Sequence, residues 1–209
     1  MAKTTANYPA SLTIDYPEQK LNRLTTAFRL FVAIPILIIC ALLVGTSFNW
    51  SESGWNGQYA AGGLIFLPTI LMLLFKQKYP KWWFDWNLAI TRFTARISAY
   101  ILLLRDEYPS TDEEQAVHLE IPYPDAKELN RWLPLVKWIM SIPHIIVLFF
   151  LYIANCIAVI VAWFAILITG NYPRSLFDFV VGVLRWLLRV SAYAFILTTD
   201  EYPPFSLDA

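Results

Sequence analysis

Charge is what this sequence has least of. Only 15% of its 209 residues are Asp, Glu, Lys or Arg, while 57% are hydrophobic and 16% aromatic. Globular chains carry about 25% charged residues, so the balance leans towards a membrane protein. The 16 basic and 16 acidic residues cancel, which argues against nucleic acid as a partner. Cysteine is nearly absent. Cys40 and Cys156 lie far apart in apolar stretches without metal-like spacing, and they read as small buried hydrophobes rather than a disulfide or a nucleophile. Histidine occurs twice, as His118 in the alternating stretch "VHLEI" and as His144 after Pro143, and no second ligand is spaced to complete a metal site. There is no Gly-rich phosphate loop and no G-x-S-x-G elbow. The apolar runs hold no Asp or Glu, apart from Glu52 in a loop, where a proton- or ion-coupled carrier would place one. Asp106-Glu107 and Asp200-Glu201 are adjacent carboxylates in extended segments. They suit solvated positions, or pairing with Arg105 and nearby basic residues, better than acid–base work. These absences call for no catalytic residue, no metal and no cofactor, and the expectation is a protein that is not an enzyme.

What is present is apolar sequence in long runs. Four of them, at 27–47, 59–75, 132–152 and 153–169, approach the roughly 17–25 residues that cross a bilayer. The first starts behind a polar segment with Lys20, Arg23 and Arg29, and it reads as an uncleaved signal-anchor helix. The third and fourth runs abut. Joined, they would be nearly twice as long as a bilayer core is thick, so a hairpin turn is expected near Ala154, Asn155 and Cys156. A single long tilted helix starting near Pro143 is the competing reading. No Lys or Arg falls in the loop "SFNWSESGWNGQ" or in the expected second turn. The positive-inside rule then points both hairpins away from the cytoplasm and leaves both termini cytoplasmic. Trp50 and Trp55 suit the outer interface, and Trp82, Trp83 and Trp86 the inner one.

The sequence also reads as an internal duplication. Tyr79, Pro80, Phe84, Asp85, Arg92, Arg96, Ser98, Ala99, Tyr100 and Leu104 recur 93 residues later as Tyr172, Pro173, Phe177, Asp178, Arg185, Arg189, Ser191, Ala192, Tyr193 and Leu197. Upstream, "LTIDYP" resembles "LEIPYP", and Asn22-Arg23 and Pro35 recur 108 residues on as Asn130-Arg131 and Pro143. Two repeats, 1–110 and 111–209, are expected, each a short strand, a helical hairpin and an amphipathic helix. The dipeptide Tyr-Pro occurs seven times at segment edges, where proline ends helices.

Helical spacing places Asp85, Arg92, Arg96 and Tyr100 on one face, and Asp178, Arg185, Arg189 and Tyr193 on another. A central arginine in a bilayer costs about 2.5–3.5 kcal/mol on insertion scales. That cost favours helices 83–104 and 177–197 lying in the cytoplasmic interface, with the apolar face sunk and the arginines raised to the phosphates, over helices that span. The stripes can serve as internal ion pairs or as a headgroup site, since arginine's planar fork suits phosphate oxygens.

The second copy, Gly170 to Leu207, carries a recognisable string: Gly170, Tyr172-Pro173-Arg174, Phe177-Asp178-Phe179, Arg185-Trp186, Arg189 and Asp200 to Phe205. It resembles a bacterial membrane-protein family known only as a domain of unknown function. The first copy is looser: Trp86 stands for the second Phe, Phe93 for the Trp and "YPS" for "YPPF". The resemblance implies a bacterial inner-membrane location and no particular activity. The expected fold is all-α and integral to the membrane: four transmembrane helices in two tandem repeats, two interfacial helices, and a small cytoplasmic β element from segments near 11–16 and 117–123. The expected function is a non-catalytic accessory or scaffold protein. It binds phospholipid, anionic above all, or a larger membrane complex, with a small transporter or channel at the repeat interface as the alternative.

Overall fold

The computed structural model describes residues 8–44, 46–51, 54–59, 66–113 and 115–208. The expected β element is present. Strand β1 (Ser11–Ile14) buries Leu12 and Ile14 and exposes Ser11 and Thr13. A first apolar run then folds as three short helices, α1 (Arg23–Ala27), α2 (Arg29–Val32) and α3 (Ile34–Val44). Asn22 starts them: its side-chain oxygen accepts from the Leu24 amide at 3.0 Å and the Thr25 amide at 3.4 Å, satisfying donors that a helix start leaves unpaired. Leu24, Phe28, Leu30, Phe31, Ile38 and Leu42 all point outward.

Strands β2 (Thr46–Ser51) and β3 (Gly54–Tyr59) form an antiparallel hairpin with Trp50 opposite Trp55, in place of the expected loop. Helix α4 (Phe66–Leu71) and a π-helical turn (Met72–Lys76) follow. The beginning of the second expected span, at 60–65, lies outside the described residues.

Helix α5 (Lys81–Ile101) is the first amphipathic helix expected from sequence. Strand β4 (Val117–Glu120) then returns to pair antiparallel with β1, with Leu12 opposite Leu119. An isolated two-stranded sheet is marginal, and this one rests on α5 and on helix α7 (Arg174–Ser191). Its inward residues join Tyr79, Phe84, Tyr172, Phe177, Val180 and Leu188 in the main core. Each such side chain contributes about 1.5–3 kcal/mol by leaving water.

The expected turn at Ala154–Cys156 is absent, and this corrects the four-span reading. Helix α6 runs unbroken from Leu133 to Thr169, 37 residues, straight through the place where the third and fourth runs meet. The physical reason is local. No Gly or Pro stands at 154–156, and Asn155 is buried within the helix, so nothing there outcompetes propagation. Pro143 lies inside α6 rather than at its start. The helix ends at Gly170, whose φ of 81° is a left-handed cap that glycine adopts without strain. At about 1.5 Å per residue α6 is roughly 55 Å long, against a hydrocarbon core of about 30 Å. Cys156 is exposed on it and Cys40 half-buried, so the buried role expected of both thiols is not what the fold gives them. Among the described residues two helical segments, Leu133–Thr169 and Arg174–Ile196, are long and apolar enough to cross a membrane.

The second amphipathic helix, α7, continues into a π-helical turn (Ala192–Ile196). Leu103 and Leu197 both take left-handed backbone, with φ of 65° and 61°. Leu103 comes three positions after Tyr100, and Leu197 four positions after Tyr193. The π turn absorbs that extra residue, so both segments leave their helix in the same way.

Candidate functional site

The two arginine stripes converge on the β1–β4 sheet. Arg92 Nε donates to the Leu119 carbonyl at 3.0 Å, and Arg185 Nε to the Leu12 carbonyl at 3.0 Å. These are the outer edges of the sheet, where carbonyls would otherwise lack partners. Arg96 Nη1 donates to the Ser110 carbonyl at 2.9 Å. Arg189 donates from Nη2 to the Asp208 carbonyl at 2.7 Å and from Nη1 to the Ser206 carbonyl at 3.4 Å. Arg185 Nη1 reaches the Leu207 carbonyl at 3.0 Å. Arg96 and Arg189 are only 8% and 5% exposed, and the Nε of each is buried without a partner.

The aspartates of the stripes do not join them. Asp178 is exposed and pairs with Arg174 at 3.4 Å, one turn back. Asp85 is exposed and forms no ion pair among the described residues. The arginines therefore satisfy backbone carbonyls, which sequence spacing could not have named because every residue carries one.

The buried ion pairs lie one helix away, at residues the spacing argument did not single out. Arg29, 2% exposed, pairs with Asp106, donates to the Arg105 carbonyl at 2.6 Å and lies 4.3 Å over the Tyr100 ring. Lys137, 1% exposed, lies 2.7 Å from Asp200, donates to the Thr199 carbonyl at 2.7 Å and sits 5.0 Å over the Tyr193 ring. Each aspartate also accepts a backbone amide at 2.6 Å, from Asn22 to Asp106 and from Asn130 to Asp200. Tyr100 and Tyr193 thus end up beneath cations, with a second ring edge-on at 5.7 Å, Tyr108 and Tyr202 respectively. The legible signal was that Arg29 and Lys137 are 108 residues apart, the spacing already seen for Asn22 and Asn130.

Two tyrosines tie distant segments together. Tyr16 donates to the Tyr172 carbonyl at 2.5 Å, and its ring meets Phe177 edge-on. Tyr123 donates to the Tyr79 carbonyl, and its ring meets Phe84 edge-on. Burial pushes the Tyr79 and Tyr172 hydroxyls well above the ordinary phenol range, because the charged form loses its water. Tyr8 is raised in the same sense, first by burial and then by Glu201.

His144 is fully buried. Its Nδ1 accepts from Trp186 Nε1 at 3.0 Å, and its ring stacks on Phe205 at 3.9 Å. The acceptor role at Nδ1 places the ring proton on Nε2. Among the described residues no group of three His, Cys, Asp or Glu side chains is placed to hold a metal ion.

Residues 132–206, which are α6, α7 and the tail, match the family described as a domain of unknown function (DUF4389). No curated protein and no solved structure matches the chain. The chain is thus similar over residues 132–206 to a class defined by sequence, and that class carries no stated activity.

Proposed function

We propose that the chain is a membrane-embedded, non-catalytic accessory or scaffold protein. It is built from two duplicated halves and engages phospholipid headgroups, a partner membrane complex, or both through a polar cytoplasmic face. The observation that carries this reading is the two-sided surface. Large apolar side chains are exposed along α1–α3 and along α6 from Leu135 to Ile168, and α6 has no charged residue between Ile139 and Thr169. Soluble monomers rarely expose contiguous apolar patches beyond a few hundred Å², and a bilayer is the solvent that accepts such a face. The arginines, the sheet and the Tyr-Pro segments supply the polar side.

Duplication is supported by contacts that recur at matched positions: Asn22–Asp106 with Asn130–Asp200, Arg92–Leu119 with Arg185–Leu12, and Tyr16–Tyr172 with Tyr123–Tyr79. The last two kinds cross between halves, so neither half is complete alone. The bacterial inner membrane, with cytoplasmic termini, is the location the charge distribution favours.

The test is alkaline carbonate extraction of membranes carrying the full chain, followed by gentle solubilisation and native electrophoresis. The expected result is a chain that stays with the membrane and migrates with bound lipid or a larger complex. Release by carbonate, or a turnover that disappears in Arg96→Gln, defeats the proposal.

A further inference from the structure

The two arginine pairs are matched in position and unmatched in what they hold. In the second half the chain's own tail covers them: carbonyls of Ser206, Leu207 and Asp208 take three N–H groups of Arg185 and Arg189. In the first half Arg92 bonds the Leu119 carbonyl, Arg96 bonds the Ser110 carbonyl, and nothing else among the described residues bonds either guanidinium. A guanidinium carries five N–H donors. Both Nη groups of Arg92 are thus uncommitted, as are Nε and one Nη of Arg96. The Nε of Arg96 is buried without a partner, as is that of Arg189, so the donors left for a ligand are the Nη groups.

Beside these donors is a pocket of about 80 Å³, lined by Arg92, Arg96, Gln115, His118 and Glu120 together with strand β4. A water takes about 30 Å³ in the liquid, so the pocket admits a group the size of two or three waters, the bulk of one tetrahedral oxyanion. Two guanidiniums against one carboxylate leave a single net positive charge. Planar forks with free N–H groups match phosphate oxygens in pairs.

We propose that this pocket is a binding site for one singly charged phosphate group, held by Arg92 and Arg96, and that residues 206–208 close the matching position at Arg185 and Arg189. The phosphate is a phospholipid's phosphodiester or inorganic phosphate. The lipid source rests on the headgroup reading above, and the inorganic source does not. The carboxylate of Glu120 is an opposing charge at the rim, which limits affinity and disfavours dianions.

The experiment uses the full chain in phosphate-free buffer. One arm counts phosphatidylglycerol against diacylglycerol, its phosphate-free counterpart, retained in native mass spectrometry. The other titrates inorganic phosphate by calorimetry. The expected result is one site per chain, weakened about tenfold or more in Arg92→Gln, the loss of a charge-assisted hydrogen bond. Glu120→Gln, a change at an exposed residue, is expected to tighten binding several-fold. Removing residues 206–209 is expected to raise the stoichiometry from one to two. Unchanged affinity for both probes in folded Glu120→Gln and Arg92→Gln overturns the pocket, and a truncated chain with one site overturns closure by the tail. Phosphate binding with equal retention of phosphatidylglycerol and diacylglycerol overturns the headgroup reading and leaves the pocket standing.

Discussion

Lys137 lies 2.7 Å from Asp200 with only 1% of its side chain exposed. Removing one partner of a buried pair strands the other charge, a loss of about 3–5 kcal/mol. Asp200 is 27% exposed, and water relieves part of that cost. Asp200→Asn is therefore expected to destabilise by about 2–3 kcal/mol. Lys137→Met with Asp200→Asn is expected to cost clearly less than the sum of the single changes, because neither charge is left alone. Thermal unfolding of the four proteins in one detergent measures the coupling, and strict additivity contradicts it.

Gly182 is placed against the tail. A Cβ there would meet Leu207 Cβ at 2.9 Å and the Leu207 carbonyl oxygen at 3.0 Å. That oxygen is the one Arg185 Nη1 bonds. Gly182→Ala is expected to displace the tail, lowering stability by about 1–3 kcal/mol as an overpacked contact does. Hydrogen exchange of the backbone amides at 206–208 reads the displacement, with the variant exchanging faster than the wild type. Equal exchange rates would show that the segment adjusts in place.

Alkaline pH is expected to unfold this protein early. Tyr8, Tyr79 and Tyr172 have folded-state values raised by burial, while an unfolded tyrosine ionises near pH 10. For a group raised in the folded state, stability is fully present below the unfolded value and falls as pH climbs through the window up to the folded one. Unfolding temperature should hold steady up to about pH 9.5 and then drop. Tyr79→Phe should lessen the drop, since one fewer buried phenol opposes ionisation. A curve that stays level past pH 11, or one unchanged in Tyr79→Phe, rejects this account.

Cys156 discriminates a continuous α6 from a hairpin. It is exposed midway along the helix, where a turn would have carried it to the aqueous surface. In sealed vesicles of a Cys40→Ala protein, a membrane-impermeant maleimide added to either side is expected to leave Cys156 unlabelled, and labelling should require detergent denaturation. Fast labelling from one side would place 154–156 in water and restore the turn.

Much of the local structure was legible. Helix α5 and the segment Arg174–Ile196 fall where the seven- and eleven-residue spacings of charge predict them, because side chains on one helix face are a local property of the chain. The strands around Leu12 and Leu119 likewise follow from alternation over a few residues. Membrane-scale apolarity is a sum over composition and needs no fold at all.

Tertiary structure decided who meets whom. The partner of Arg29 is Asp106, 77 positions away, and only the packed helices bring them together. The arginine stripes hold backbone carbonyls on both edges of the β1–β4 sheet, and a carbonyl has no residue type to betray it in sequence. Helix α6 continues where length alone suggested a turn, since apolar length sets a limit on an upright crossing and not on helix propagation. Sequence thus determined which faces are apolar and which are charged. The fold determined that carbonyls of residues 206–208 take three donors of the second arginine pair while the Ser110 carbonyl takes one of the first, because that difference depends on the path of segments distant in sequence.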